Sequence, residues 1–265
     1  MARGGTGVSV HPVWRRYLLR PRYPLRVEYS HPEFKQVQDF CNFKERLRPD
    51  AIVSSSVCFT SAQLLELKKI VSRDSACKCT SFEVLSAHVW RCWIRAMDLP
   101  GVQTIKLLFS VNVRKRLQPQ LPQGFFGNGF VLACAETTVK DLSESSLSYA
   151  VKLVQKAKAS LTNEYIRSII NYLDDKSARP DLVASLVISQ WSRLELTEVD
   201  FGWGKPLHVG PLGSDIYCLF LPLDGQLDAV NVLLAVPRTI IDKYEYYMRS
   251  ISDLRSSVVE DEIII

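Results

Sequence analysis

The chain has 265 residues, enough for one large domain or two small ones. Hydrophobic residues make up 47% and charged residues 23% of the sequence, which is ordinary for a globular protein. No run approaches the ~18 consecutive apolar residues that a membrane span requires. The composition therefore excludes fibrous and membrane-spanning classes, and we expect no membrane partner.

The formal charge of +5 is concentrated near the start of the sequence. Residues 1–50 carry ten Lys/Arg and five Asp/Glu, whereas the remainder carries 23 of each. An arginine-rich stretch such as RRYLLRPRYPLR is typical of transit segments and of nucleic-acid patches. Because prolines and aromatic residues interrupt this stretch and no nucleic-acid module follows it, we expect no nucleic-acid partner.

The seven cysteines are scattered, without a CxxC pair or a histidine at metal-ligand spacing. Cys77 and Cys79 in CKC lie close together, but two thiolates do not fill a tetrahedral metal site. The sequence therefore predicts reduced thiols, no metal and a cytoplasmic location.

Residues 1–58 are predicted to be extended and loop-like. Pro12, Pro21 and Pro24 each deny a helix or a sheet ladder one N–H donor. This stretch is poor material for an independent domain.

Two helices are predicted next, and each begins with a capping box. Thr60 with Gln63 opens the first, and Thr80 with Glu83 opens the second, which continues through FEVLSAHVWRCWIRAM. His88 lies on the second helix without a neighbouring Cys, Asp or second His, so a structural role is predicted for it.

Strand and helix patterns then alternate. TIKLLFSVNVR alternates apolar residues from Ile105 to Val113 on one face, with Asn112 and Arg114 pointing the other way. After the loop QPQLPQGFFGNG, the pattern of FVLACAETTV predicts a strand, and that of SSLSYAVKLVQKAKASL predicts an amphipathic helix.

Three further strands are predicted in LVASLVIS, DIYCLFLPL and DAVNVLLAV, and a last helix from about Thr239 to Leu254. The whole pattern predicts a mixed α/β fold.

The loop DFGWGKP is the most unusual local sequence. No GxxxxGK[ST] phosphate loop, GxGxxG fingerprint or GxSxG nucleophile elbow accompanies it. Gly202 and Gly204 permit backbone conformations closed to other residues, Trp203 offers a large rigid surface, and Asp200 is able to pair with an arginine. A tight loop clipped to a neighbouring strand and a catalytic loop both fit these residues.

DFGWGKP followed by HVGP closely resembles the signature of the plant BAHD acyl-CoA-dependent acyltransferases. TSFEVLSAHVWRCWIRAM resembles the family's helix after the crossover, NVRKRLQPQLPQGFFGNGF its arginine strand and YFGN-type loop, and HPVWRRYLLRPRYPL the segment leading into the crossover. The resemblance covers nearly the whole chain. It is nearest to the branch of benzyl-alcohol benzoyltransferases and taxane acyltransferases.

The resemblance implies a chloramphenicol-acetyltransferase-like α/β fold with a channel between two domains. Residues 1–58 would be the tail of the N-terminal domain and the crossover, and residues 59–265 the C-terminal acyltransferase domain. The family uses acyl-CoA as a co-substrate and no bound cofactor, and acylates a hydroxyl or amine of a small molecule. The full-length protein is expected to be a monomer.

The resemblance also implies roles for particular residues. The family's DFGWG motif is mainly structural, and here it comprises Asp200, Phe201, Gly202, Trp203 and Gly204. Its aspartate would pair with Arg114, or with Arg116 as second choice. Lys115 and Arg116 are candidates for contacts with the CoA phosphates, and a solvated charged face is the alternative.

The family's general base is the histidine of an HxxxD motif, and the sequence departs from the family there. The four histidines open HPVWR, HPEFK, HVWRC and HVGPL, so none begins HxxxD and no catalytic residue is assigned. MARGG resembles the family's ELARG-type segment, which follows HxxxD by about twenty residues. We therefore expect the chain to be an N-terminally truncated acyltransferase; a non-catalytic remnant that binds CoA esters or a full-length relative is the alternative.

Overall fold

The structure is a computed structural model that describes residues 7–46, 52–175, 177–207, 209–211, 217–223 and 225–251. The strands are β1 (Ile52–Phe59), β2 (Thr104–Asn112), β3 (Phe130–Thr138), β4 (Ser185–Gln190), β5 (Tyr217–Leu223) and β6 (Gln226–Pro237). The α-helices are α1 (Phe43–Arg46), α2 (Ser61–Asp74), α3 (Ser81–Met97), α4 (Val139–Glu144), α5 (Leu147–Ala159), α6 (Asn163–Tyr172) and α7 (Ile241–Arg249).

The strands form one mixed sheet in the order β1-β6-β5-β4-β2-β3. β4 runs parallel to β2 and to β5, and the remaining neighbours are antiparallel. The helical connection from β3 to β4 supplies the long crossover that a parallel neighbour requires. The predicted mixed α/β class is confirmed.

Helix α3 is central to the core, and most of its side chains are buried. It begins with the predicted capping box: the Thr80 hydroxyl accepts from the Glu83 N–H at 3.3 Å, and the Glu83 carboxylate accepts from the Thr80 N–H at 3.0 Å. The same reciprocal bonds join Thr60 and Gln63 at α2. Both predicted helix starts are confirmed because the capping box is encoded within four residues.

Of the described helices and strands, four were not predicted: β1, α6 and the short helices α1 and α4. Residues 1–58 were expected to be loop-like, and this expectation is wrong for residues 52–58, which belong to β1. Every residue of β1 pairs with β6, and Ser55, Val57 and Phe59 are buried. The serines of β1 interrupt the apolar pattern that would predict a strand, and pairing with β6 stabilises the strand instead. The predicted domain boundary between residues 58 and 59 stays a prediction. Helix α6 was also missed, although the Thr162 hydroxyl caps it.

The segment that precedes β1 is anchored to the sheet by polar contacts. The Lys106 ammonium is fully buried, donates to the Lys35 carbonyl and lies 3.5 Å from the Asp181 carboxylate. The Gln103 amide donates to the Gln38 carbonyl at 2.9 Å. Because a buried ammonium requires such partners, these contacts position the segment around Lys35 and Gln38 against β2.

The last predicted helix is observed as α7, packed against α3 and β1. Tyr244 and Met248 are its buried residues. Leu254, which was predicted to continue its apolar stripe, lies outside the described residues.

Candidate functional site

A cleft of about 1140 Å³ opens at the carboxyl ends of the parallel strands β4 and β5. Gln190 ends β4, Phe220 and Pro222 belong to β5, and Ser81 and Phe82 come from the first turn of α3. The connection after β4 and the β5–β6 turn close the sides. Ligands of open α/β sheets bind at this end of the strands, so the cleft is the candidate site.

One wall of the cleft is apolar. Phe82, Leu85, Phe220 and Val230 line it, and the Phe82 and Phe220 rings meet at 5.9 Å between centroids, close to edge-to-face. Leu85 and Phe220 are almost wholly buried, which fixes the wall in the core. This wall suits the apolar body of a ligand.

The rim of the cleft is charged. Lys205 lies 2.7 Å from the Glu198 carboxylate, and Arg193 lies 3.7 Å from that of Asp228; Lys68 adds a third cation. Both ion pairs are well exposed, so they contribute little to stability. The rim cations are therefore able to exchange these partners for an anionic ligand.

The DFGWG loop is folded around its own aspartate. The Asp200 Oδ1 accepts from the N–H groups of Gly202 at 2.7 Å and Gly204 at 3.1 Å. Both glycines have φ of 105°, which a side chain would strain. Trp203 is 96% exposed and Phe201 is 71% exposed. In this chain the glycines serve the turn, and the aromatic rings face outward.

The loop adjoins the cleft without lining it. Asp200 to Gly204 are not among its lining residues, whereas Lys205 and Pro206, which follow directly, are. Of the following HVGP segment, His208 lies outside the described residues. The motif thus positions the rim cation Lys205, which sequence reasoning did not single out.

Arg114 contacts the GFFGNG loop. Its Nη2 donates to the Gly127 carbonyl at 2.6 Å, and its backbone N–H donates to the Asn112 side chain at 3.0 Å. These bonds hold the GFFGNG loop against the end of β2. The ion pair between Asp200 and Arg114, with Arg116 as second choice, stays a prediction.

The two candidate CoA contacts lie beside Arg114. Arg116 is half-buried, and its Nη1 donates to the carbonyls of Lys158 at 3.1 Å and Leu161 at 3.0 Å, at the C-terminal end of α5. A cation at a helix C-terminus is stabilising. Lys115 is exposed, and neither residue lines the cleft. Their predicted contact with CoA phosphates stays a prediction.

The three described histidines all lie away from the cleft. His11 is exposed, while His31 and His88 are buried. The His88 Nε2 lies 3.2 Å from the Met248 carbonyl, and burial lowers the pKa of the imidazole to about 4. The Cys92 Sγ lies 3.6 Å from the Nε2, so the expectation that no Cys neighbours His88 is wrong. Burial and the Met248 contact support the structural interpretation of His88.

A buried polar network joins the segment around His31 to α6. The His31 Nε2 lies 2.8 Å from the Ser168 hydroxyl, its Nδ1 lies 3.2 Å from Glu33, and the Tyr165 hydroxyl donates to Glu33 at 3.0 Å. The order serine, histidine, carboxylate is that of a nucleophilic triad. The Ser168 hydroxyl, however, also accepts from the Glu28 N–H, and the network is sealed in the core. No local pattern predicts it, because its two halves are far apart in sequence.

The described residues contain no group of three His, Cys, Asp or Glu side chains placed to share a metal ion. Within the same ranges, no helix combines the length and apolar character needed to cross a membrane. All seven cysteines are free thiols; Cys92 and Cys218 are buried, and Cys58 is exposed.

Solved structures share this fold. Fusarium graminearum TRI101 in complex with coenzyme A and deoxynivalenol superposes with a TM-score of 0.68 at 18% identity, over 84% of this chain and 54% of that one. Vinorine synthase gives a TM-score of 0.59 at 17% identity, over 73% of this chain and 46% of that one. The predicted chloramphenicol-acetyltransferase-like α/β fold is confirmed.

Sequence comparison identifies the family. Omega-hydroxypalmitate O-feruloyl transferase of Arabidopsis thaliana is 37% identical over 247 residues, which cover 91% of this chain and 54% of that protein. Benzyl alcohol O-benzoyltransferase of Petunia hybrida is 38% identical over 214 residues, which cover 80% of this chain and 45% of that protein. Residues 1–250 match the Transferase family. The chain belongs to this family, the BAHD acyltransferases, and spans about half the length of the curated relatives it matches.

Proposed function

We propose that the protein containing this chain transfers an acyl group from a CoA thioester to a hydroxyl, or alternatively to an amine, of a plant metabolite. The family match over residues 1–250 carries this proposal. The names of similar proteins include feruloyl, caffeoyl-CoA and benzoyl transfer to alcohols. The proposed donor is therefore an aromatic acyl-CoA and the proposed acceptor an alcohol.

The cleft supports this assignment. The apolar wall formed by Phe82, Leu85 and Phe220 suits an aromatic acyl group or an apolar acceptor. Lys68 and Lys205 on the rim suit the negatively charged phosphates of CoA. An acyl-CoA combines these two features, because it carries an apolar acyl group at one end and negatively charged phosphates at the other.

The chemistry requires a general base for the acceptor. In the proposed reaction the histidine of HxxxD takes the hydroxyl proton, the oxygen attacks the thioester carbonyl, and the CoA thiolate leaves. Such a base contributes ~10²–10⁴ in rate. Since none of the four histidines here opens HxxxD, we propose that this chain supplies one wall of the site and an HxxxD-bearing half supplies the base.

The test joins this chain to the HxxxD-bearing half of the Arabidopsis feruloyl transferase. Release of CoA thiol from feruloyl-, caffeoyl- and benzoyl-CoA is measured with a fatty alcohol and with benzyl alcohol. We expect ester formation by the joined protein, and none by this chain alone or by a joined control whose HxxxD histidine is replaced by alanine. A joined protein that folds and binds CoA but forms no ester with any pair would contradict the proposed reaction.

The second candidate is a non-catalytic chain that binds CoA esters or a full-length relative. The placement of His11, His31 and His88 away from the cleft favours it for the isolated chain. Calorimetric titration of the joined protein with CoA distinguishes the two, because CoA binding without ester formation by the joined protein supports the non-catalytic role. The predicted cytoplasmic location and monomeric state of the full-length protein stay predictions.

A further inference from the structure

A second cavity, of about 180 Å³, lies between α3 and α7 and shares no lining residue with the cleft. Its volume is roughly six times the ~30 Å³ that one water occupies in the liquid, so it is large enough for a small ion. Its lining includes His88, Arg91, Cys92, Arg95, Tyr246 and Tyr247. We call it the arginine pocket.

Two guanidinium groups one helical turn apart define the arginine pocket. Arg91 is only 6% exposed, and its Nε has no hydrogen-bond partner in the part of the chain that the structure describes. Arg95 is half-buried, and its Nη2 donates to the Ser143 carbonyl at 3.1 Å. A buried cation with an unpaired donor is costly unless an anion joins it.

The other lining groups do not neutralise the two arginines. Burial lowers the pKa of His88 to about 4 and raises that of the Cys92 thiol to about 12, so both are uncharged at neutral pH. Burial also lowers the pKa of Arg91 to about 10, which still leaves it protonated. The Asp74 carboxylate acts on Arg91 electrostatically and offsets one positive charge, but Asp74 does not line the pocket and the second arginine leaves a surplus of one positive charge. The pocket is therefore positively charged.

We propose that the arginine pocket binds a small oxyanion of the size of inorganic phosphate, held between Arg91 and Arg95. Guanidinium groups present paired N–H donors that match the oxygens of phosphate. The ion would satisfy the Arg91 Nε and bridge α3 to α7. Its binding is independent of acyl transfer, so either proposal can fail while the other stands.

The test is calorimetric titration of the whole chain with inorganic phosphate at neutral pH, with ionic strength held constant by chloride. We expect binding that is at least tenfold weaker in Arg91→Gln and in Arg95→Gln, and unchanged in Arg73→Gln. Arg73 is exposed on α2 and lines neither cavity, so it is the matched control. Arg95→Gln keeps the test decisive if the buried Arg91→Gln does not fold.

Thermal unfolding supplies the second measurement. Phosphate stabilises proteins in general by exclusion from their surface, so the readout is the phosphate-induced rise in Tm of the wild type minus that of Arg95→Gln. Equal rises in both proteins, or no phosphate binding by the wild type, would overturn the proposal. A parallel titration with CoA shows whether the phosphate is a free ion or part of CoA. If Arg95→Gln loses CoA binding and the wild type does not bind free phosphate, the proposal of a site for the free ion would be overturned.

Discussion

Acidification from pH 6.5 to pH 4 is expected to destabilise the protein through His88. This imidazole is fully buried against Phe59 and Cys92, and burial lowers its pKa from 6.5 to about 4. Between these values the unfolded chain binds a proton that the folded chain excludes. The stabilisation is therefore fully present above pH 6.5 and is lost as the pH falls towards 4. A difference of about 2.5 pH units corresponds to about 3 kcal/mol.

The assay is urea unfolding, followed by circular dichroism at intervals from pH 7.5 to pH 4. His88→Gln removes the titrating group and retains an amide N–H able to donate to the Met248 carbonyl. The variant is expected to be less stable than the wild type at pH 7.5, because the imidazole packing is lost. Its stability should fall less steeply with acidification, by about 3 kcal/mol over the interval.

The control is His11→Gln, since His11 is exposed. It should retain the full dependence of the wild type. Other groups that titrate in acid are common to all three proteins, so the difference between the curves isolates His88. Parallel curves for the wild type and His88→Gln between pH 6.5 and pH 4 would refute the reasoning.

Three further substitutions test individual contacts of the fold. Asp200→Ala removes the acceptor of two loop N–H groups and should lower stability by about 1–2 kcal/mol, with little change in ligand binding; thermal unfolding and CoA titration measure the two effects. Lys106→Met leaves Asp181 without its buried cation and should cost about 3–5 kcal/mol in urea unfolding. Gly124→Ala places a Cβ against the His11 carbonyl, at a residue whose φ is 78°. The substitution should therefore detach the segment around His11 from the loop, and limited proteolysis before residue 30 should become faster.

Two of these substitutions have a matched comparison in the chain. Lys115→Met removes an exposed lysine and should be nearly neutral, in contrast to Lys106→Met. Gly7→Ala meets no neighbouring atom and should leave proteolysis unchanged, in contrast to Gly124→Ala. For Asp200→Ala, unchanged thermal unfolding would show that the carboxylate does not hold the loop.

The sequence predicted the elements whose determinants are local. The bonds between Thr60 and Gln63 lie within one turn, and the apolar stripe of α5 is visible at helical spacing. Strands β2 to β6 were likewise recognisable from their apolar runs. The resemblance added the fold, which no local pattern contains, because strand order depends on pairings between distant segments.

The candidate site was less accessible from the sequence. DFGWG was singled out from the sequence, but the residues that line the cleft come from α2, α3, β4, β5 and β6 and from the connections after β4 and after β5. Lys205 was passed over because a lone lysine carries no spacing signal. Likewise, nothing near Arg116 in the sequence indicates that its guanidinium contacts the end of α5.

The sequence by itself determined where helices begin, which segments are apolar enough to be strands, and that the DFGWG backbone needs glycine. Those properties depend on interactions within a few residues, or on composition. Only the tertiary structure decided that a serine-rich segment becomes β1, that His31 meets Ser168, and that Arg91 and Arg95 face a cavity beneath α7. Such contacts join residues far apart in the chain, and they form because folding buries apolar surface and requires each enclosed polar group to find a partner.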